Sequence, residues 1–94
     1  MVLAALSLPA GVEQVRTTPE LTVDTVPAGL LKAHRVASGM WGRLRVLEGV
    51  VTFVLEAGGE TRRLGEGELQ VIEPDVAHHV EPEPGSVFVV EFYK

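Results

Sequence analysis

The sequence predicts a single small all-β domain, an antiparallel barrel or sandwich. Short Val- and Leu-rich runs recur along the chain, each closed by Gly, Pro or acidic residues, which is the punctuation of such folds. No stretch keeps a helical apolar period over a useful length. In the last run Phe88, Val90 and Phe92 share one face, and Val87, Val89, Glu91 and Tyr93 share the other.

Each element follows from its own residues. Met1 to Leu8 reads as a strand or a loose arm, and residues 1–14 are the least defined part of a single domain spanning 1–94. Leu21 to Val26 is predicted as a strand, ended by Pro27-Ala28-Gly29, and Leu30 to Val36 as the next. Gly42 to Glu48 and Val50 to Glu56 follow, with Gly49 between them. Ala57-Gly58-Gly59 is a hairpin turn, because glycine tolerates positive φ, and Glu60 to Leu64 returns from it. Gly65-Glu66-Gly67 turns into Glu68 to Ile72. Glu73-Pro74-Asp75 breaks the ladder, since proline lacks an N–H. His78 to Glu81 and Ser86 to Tyr93 complete the set. The final strand is largely apolar on both faces and so needs covering on both, which points to a homodimer.

Composition bounds the function. Ninety-four residues support one modest core and leave no room for a second catalytic domain. The net charge of −5 and the lack of interleaved stacking aromatics argue against nucleic acid as a partner. Arg43, Arg45, Arg62 and Arg63 read first as a solvated or salt-bridged face, and second as an anion or ligand contact. With no cysteine, disulfides and thiolate chemistry are excluded. The start of the chain lacks a positive region and is too short to span a bilayer, so no membrane partner and a cytoplasmic location are expected. Asparagine is absent and isoleucine occurs once, a bias that fits a thermophilic source or codon usage.

The chemistry-bearing residues are His34, His78 and His79. Imidazole is the commonest metal ligand and titrates near neutrality. His78 and His79 are successive strand residues, so at most one can enter the interior. As hydrogen-bonded structural groups these histidines would need no ligand. Glu91, among apolar neighbours, should pair with an arginine or bind something. Trp41 reads as core or rim packing, with a pocket mouth as the alternative. Glu73 reads as a turn residue. Gly65-Glu66-Gly67 lacks the Lys and Ser/Thr of a phosphate loop, and no serine sits in a nucleophile elbow.

Gly67, then Glu68 to Glu73, then Pro74-Asp75-Val76-Ala77-His78-His79 resembles the second motif of the cupins, with His79 on the metal-ligand position and His78 beside it. Val46-Leu47-Glu48-Gly49 resembles the end of the first motif. Within that superfamily, Thr25 to His34, Gly39 to Leu44, Val71 to Pro74, His78 to Pro82 and Glu91-Phe92-Tyr93 resemble the small TehB/YeaR-like domains. These stand alone or form the N-terminal domain of some tellurite-resistance methyltransferases. The resemblance spans roughly residues 15 to 94 and implies an antiparallel double-stranded β-helix, or jelly-roll (cupin) barrel.

The sequence departs from the metal-binding cupin pattern. No His-x-His precedes Gly49, and Gly42 stands where a carboxylate is usual. What remains is a reduced metal set of His34, His79 and His78, with Glu73, Glu81, Glu91 and Trp41 as pocket residues. Such N/O donors suit Zn, Ni, Fe or Mn. Three functions stay open: a small-molecule, anion or metal-binding module linked to tellurite or oxyanion stress; a metal-dependent oxygenase or isomerase; and a siteless protein acting through a dimer surface. The residues nominate no catalytic group. The methyltransferase part of the longer relatives has no counterpart here.

Overall fold

Alternation of small runs of Val, Leu and Phe with polar residues gives seven strands in two antiparallel sheets among the described residues. The computed structural model describes residues 3–32 and 35–94. The strands are β1 (Gln14–Thr17), β2 (Trp41–Glu48), β3 (Val51–Leu55), β4 (Thr61–Leu64), β5 (Leu69–Ile72), β6 (His78–Pro82) and β7 (Val87–Tyr93). One sheet has the order β1-β7-β2-β5 and the other β4-β3-β6. No hydrogen-bonded ladder joins the two sheets among the described residues, so closure into a barrel is not seen.

The period of two decides which side chains meet. Leu44 and Val46 of β2, Gln70 and Ile72 of β5, and Phe88 and Val90 of β7 face inward and are buried. Val51 and Phe53 of β3, Leu64 of β4 and Val80 of β6 meet them from the second sheet, and Leu3, Leu21 and Val36 complete the core. The outer row of β7 is also covered within one chain. Val89, Glu91 and Tyr93 are all buried, beside Arg45, Arg43 and Trp41 of β2.

Three stretches differ from the sequence expectation. Leu21–Val26 is not a strand. Only Leu21 makes a bridge, to Phe88, and the chain then turns, with the Thr22 amide donating to Thr25 Oγ1 at 2.9 Å. Of the expected strand Leu30–Val36, the described residues 30–32 and 35–36 form no strand, and Ala33 and His34 lie outside the described residues. Pro27 leads into a 3-10 turn at Ala28–Leu31, and Val36 is buried as a plug rather than as part of a ladder. Conversely, β1 has all four residues exposed, so burial gives it no apolar signature. It exists because its backbone pairs with the edge of β7. A shorter 3-10 turn, Leu3–Ala5, drives Leu3 into the core. The backbone groups of Glu13 and Lys94 bond each other in both directions, at 3.1 and 2.9 Å.

The Glu48-Gly49-Val50 corner has a steric cause. Gly49 holds φ at 73°, and a Cβ there would lie 2.9 Å from Ser86 Cα. Only glycine fits both the dihedral and the approach. No helix among the described residues is long and apolar enough to cross a membrane.

Candidate functional site

β6 begins where the turn after β5 ends, and its first residue points between the sheets. His78 is 2% exposed and its ring stacks on Phe53, with centroids 5.2 Å apart and planes at 27°. Its Nδ1 lies 3.0 Å from the Val76 carbonyl oxygen, which fits an Nδ1–H donor. The ring forms part of the wall of a small interior hollow of about 30 Å3, otherwise lined by Thr18 and by apolar side chains that include Leu44, Ile72, Val80 and Phe92. That is room for about one water molecule.

The hollow adjoins an open vestibule of about 330 Å3, and Thr18, Leu30, Val36 and Phe92 line both. Two cations border the vestibule. The Arg16 guanidinium sits 4.5 Å from the centroid of the Phe92 ring, a cation–π contact. Arg35 also lines it and donates from Nη1 to the Asp75 carbonyl oxygen at 2.6 Å. Asp75 holds φ at 61°, a left-handed conformation. No carboxylate side chain is among the described residues that line the vestibule. In a chain of net charge −5, this is a locally positive, partly apolar mouth.

The nominated residues do not converge. His78 faces the interior, whereas the cupin resemblance puts His79 on the metal-ligand position. His79 leaves the opposite face of β6 and lies between two carboxylates, with Nδ1 on Glu56 and Nε2 2.8 Å from Glu81. The Glu81 hydrogen bond, then that of Glu56, raises the His79 pKa above its ordinary value against the smaller effect of burial. Glu81 is exposed on that outer face.

Glu91 lies on the outer face of the other sheet, where Arg43 donates from Nε at 2.7 Å, Arg45 at 3.2 Å, and the Tyr93 hydroxyl at 3.2 Å. Burial disfavours its charge most. The Arg43 hydrogen bond and the charges of Arg43 and Arg45 together outweigh burial and hold the carboxyl below its usual value. Trp41 pairs across the ladder with Tyr93 on that same face. Glu73 is exposed in the turn after β5, and His34 lies outside the described residues.

These positions decide how well the described residues fit a metal. No group of three or more His, Asp or Glu side chains among them is arranged to hold an ion. His78 and His79 cannot share one, because they leave opposite faces. The third member of the reduced metal set, His34, is not among the described residues. Arg16 and Arg35 were missed by sequence reasoning. Both fall in stretches without apolar alternation, and nothing in their spacing marks them.

An all-β sandwich with its hollow capped by the segment before β2 defines a class of small pocket domains. Within it, the chain belongs to the TehB-like domain family, whose model matches residues 16–90. It is similar to a crystal structure of a protein from Escherichia coli strain K12, with a TM-score of 0.88 and 24% identity over 95% of this chain and 96% of that one. It is also similar to TehB from Haemophilus influenzae, with a TM-score of 0.79 and 26% identity over 87% of this chain. It spans only 31% of that TehB chain. A protein from Neisseria meningitidis aligns with a TM-score of 0.54 at 18% identity, over 97% of this chain and 90% of that one. The E. coli and Neisseria likenesses show the fold alone. No curated protein sequence matches the chain.

Proposed function

We propose that this chain is a small cupin-type binding module whose site is the vestibule and the hollow beneath it, and that it takes a small oxyanion. The observation that carries the reading is the pair Arg16 and Arg35 at a mouth with no carboxylate among its described lining residues, above an apolar hollow walled by His78. Guanidinium groups present planar, multi-donor faces suited to oxyanions. Family membership, with its link by name to tellurite resistance, makes tellurite the first oxyanion to try. The cupin motifs at Val46–Gly49 and Gly67–His79 support the finer fold assignment. Neither a homodimer nor a bound metal is needed for this reading.

The test is titration of the untagged protein with tellurite, and with sulfate and nitrate for comparison, read by calorimetry and amide NMR shifts. Saturable binding that perturbs Thr18, Leu30, Val36 and Phe92 is expected, weakened about tenfold by Arg16→Gln or Arg35→Gln. Absence of saturable binding, or binding unchanged in both variants, would overturn it. Bound Zn, Ni, Fe or Mn that is lost in His78→Ala would instead put a metal centre in the hollow.

A further inference from the structure

A second cleft lies on another side of the molecule, at the open edge of the sandwich between β4 and β5. The chain after the Leu3–Ala5 turn runs past this edge, and its Leu6 and Leu8 face Leu69 and Val71 of β5 across a space of about 310 Å3. Such a volume is at the small end of ligand sites, which run from about 300 to 1,000 Å3. The walls are apolar except for Arg43 and Arg62 and the short hydroxyl side chain of Ser7. No carboxylate is among the described lining residues.

Both guanidinium groups are held in place from behind. Arg62 leaves β4 on its inner face and reaches across to the other sheet, donating from Nη1 to the Leu69 carbonyl at 2.7 Å and to Gln70 Oε1 at 3.1 Å. Gln70, 1% exposed, donates in turn to the Leu3 carbonyl at 2.9 Å, so one amide fixes both the arginine and the N-terminal wall. Arg43 is fixed through Nε on buried Glu91 and lies over the Tyr93 ring at 5.2 Å. A guanidinium carries five N–H donors, and each of these two spends one nitrogen on its anchor. The remaining donors of two preorganised cations border an apolar trough, and among the described residues only the exposed Glu68, 3.9 Å from Arg62 Nη2, competes for them. Preorganised donors lose little freedom on binding.

We infer that this cleft is a second binding site, distinct from the vestibule, for a small amphipathic carboxylate: the carboxylate on Arg43 and Arg62, and a short hydrocarbon tail against Leu6, Leu8, Leu69 and Val71. The pairing follows from charge and shape together. An inorganic oxyanion would leave the apolar walls uncovered, and a neutral hydrocarbon would leave the donors unanswered.

The experiment uses the full chain, with hexanoate as probe and hexanol as its neutral counterpart, read by amide NMR shifts. Hexanoate should give saturable shifts at residues 3–8 and 69–71, and hexanol should bind at least about tenfold more weakly. Arg62→Gln should weaken hexanoate about tenfold, and Arg43→Lys less than Arg43→Gln. If loss of the Glu91 partner unfolds Arg43→Gln, the hexanoate-to-hexanol ratio on the unaltered chain still decides. Equal binding of the two probes overturns the inference. So do shifts confined to Thr18, Leu30, Val36 and Phe92, and concentration-dependent shifts at residues 3–8 without any probe, which would make the cleft a contact between copies.

Discussion

The imidazole of His78 lies against the ring of Phe53 while the next side chain, His79, emerges on the other side of the same strand between Glu56 and Glu81. The two residues carry the same chemistry in opposite environments. His78→Ala removes a fully packed ring and should cost about 2–4 kcal/mol, whereas His79→Ala, which breaks surface pairs, should cost about 1 kcal/mol or less. Urea unfolding of both variants checks the contrast, and equal losses would contradict it.

The acid side of the His79 pairs sets a pH dependence. Its folded pKa is raised, foremost by Glu81 and then by Glu56. The stability from the charged pair is therefore complete below the ordinary value of 6.5 and fades as pH rises through the raised folded value. The unaltered chain should lose up to about 1 kcal/mol across that window relative to His79→Gln. Thermal melts of both proteins at a series of pH values read the difference, and parallel curves would exclude the clamp.

Glu91 has the opposite sign. Its folded pKa is lowered, because Arg43 and Arg45 outweigh the effect of burial. Its contribution is present above the ordinary 4.5 and is lost as pH falls through the lower folded value. Glu91→Gln should cost about 1–3 kcal/mol at neutral pH, since two guanidinium groups lose their anionic partner. The gap to the unaltered chain should shrink in acid. A gap independent of pH would mean that packing, not charge, is what the substitution removed.

Gly49 and Ser86 predict two unlike results at one contact. Gly49→Ala places a methyl group 2.9 Å from Ser86 Cα at φ 73° and should cost at least about 1–2 kcal/mol. Ser86 is fully buried and its Oγ has no hydrogen-bond partner among the described residues. Ser86→Ala removes a desolvated hydroxyl and should be neutral or stabilising. Chemical denaturation of the two single variants settles both.

Sequence patterning reached the strands that bury one face. Gly42 to Glu48 alternates cleanly and lies within β2, and the hairpin at Ala57-Gly58-Gly59 joins β3 and β4 as its glycines require. It failed where the chain is held by backbone pairing or used as a plug. Gln14–Thr17 pairs at a sheet edge without burying a side chain, and Leu30 and Val36 cover the hollow without joining a ladder. The candidate site was legible only in part. The pattern required His78 and His79 to diverge, but which one turned inward depended on the register of β6 against β3, where Leu55 faces His78 and Val54 faces His79. The pairing of Glu91 with arginine followed from the cost of burying a charge among apolar neighbours. Arg16 and Arg35 reach one mouth only through tertiary structure, because residues far apart in the chain meet there.

The reciprocal bonds between Glu13 and Lys94 place the start of β1 and the end of β7 at the same corner of an antiparallel pair. Tethers attached at these two residues would therefore load the pair as a zipper rather than in shear. Each ladder bond would carry the full tension in turn instead of sharing it. Under stretching, this corner should part at low force and in small steps, peeling β1 from β7 while the rest of the sandwich stays folded.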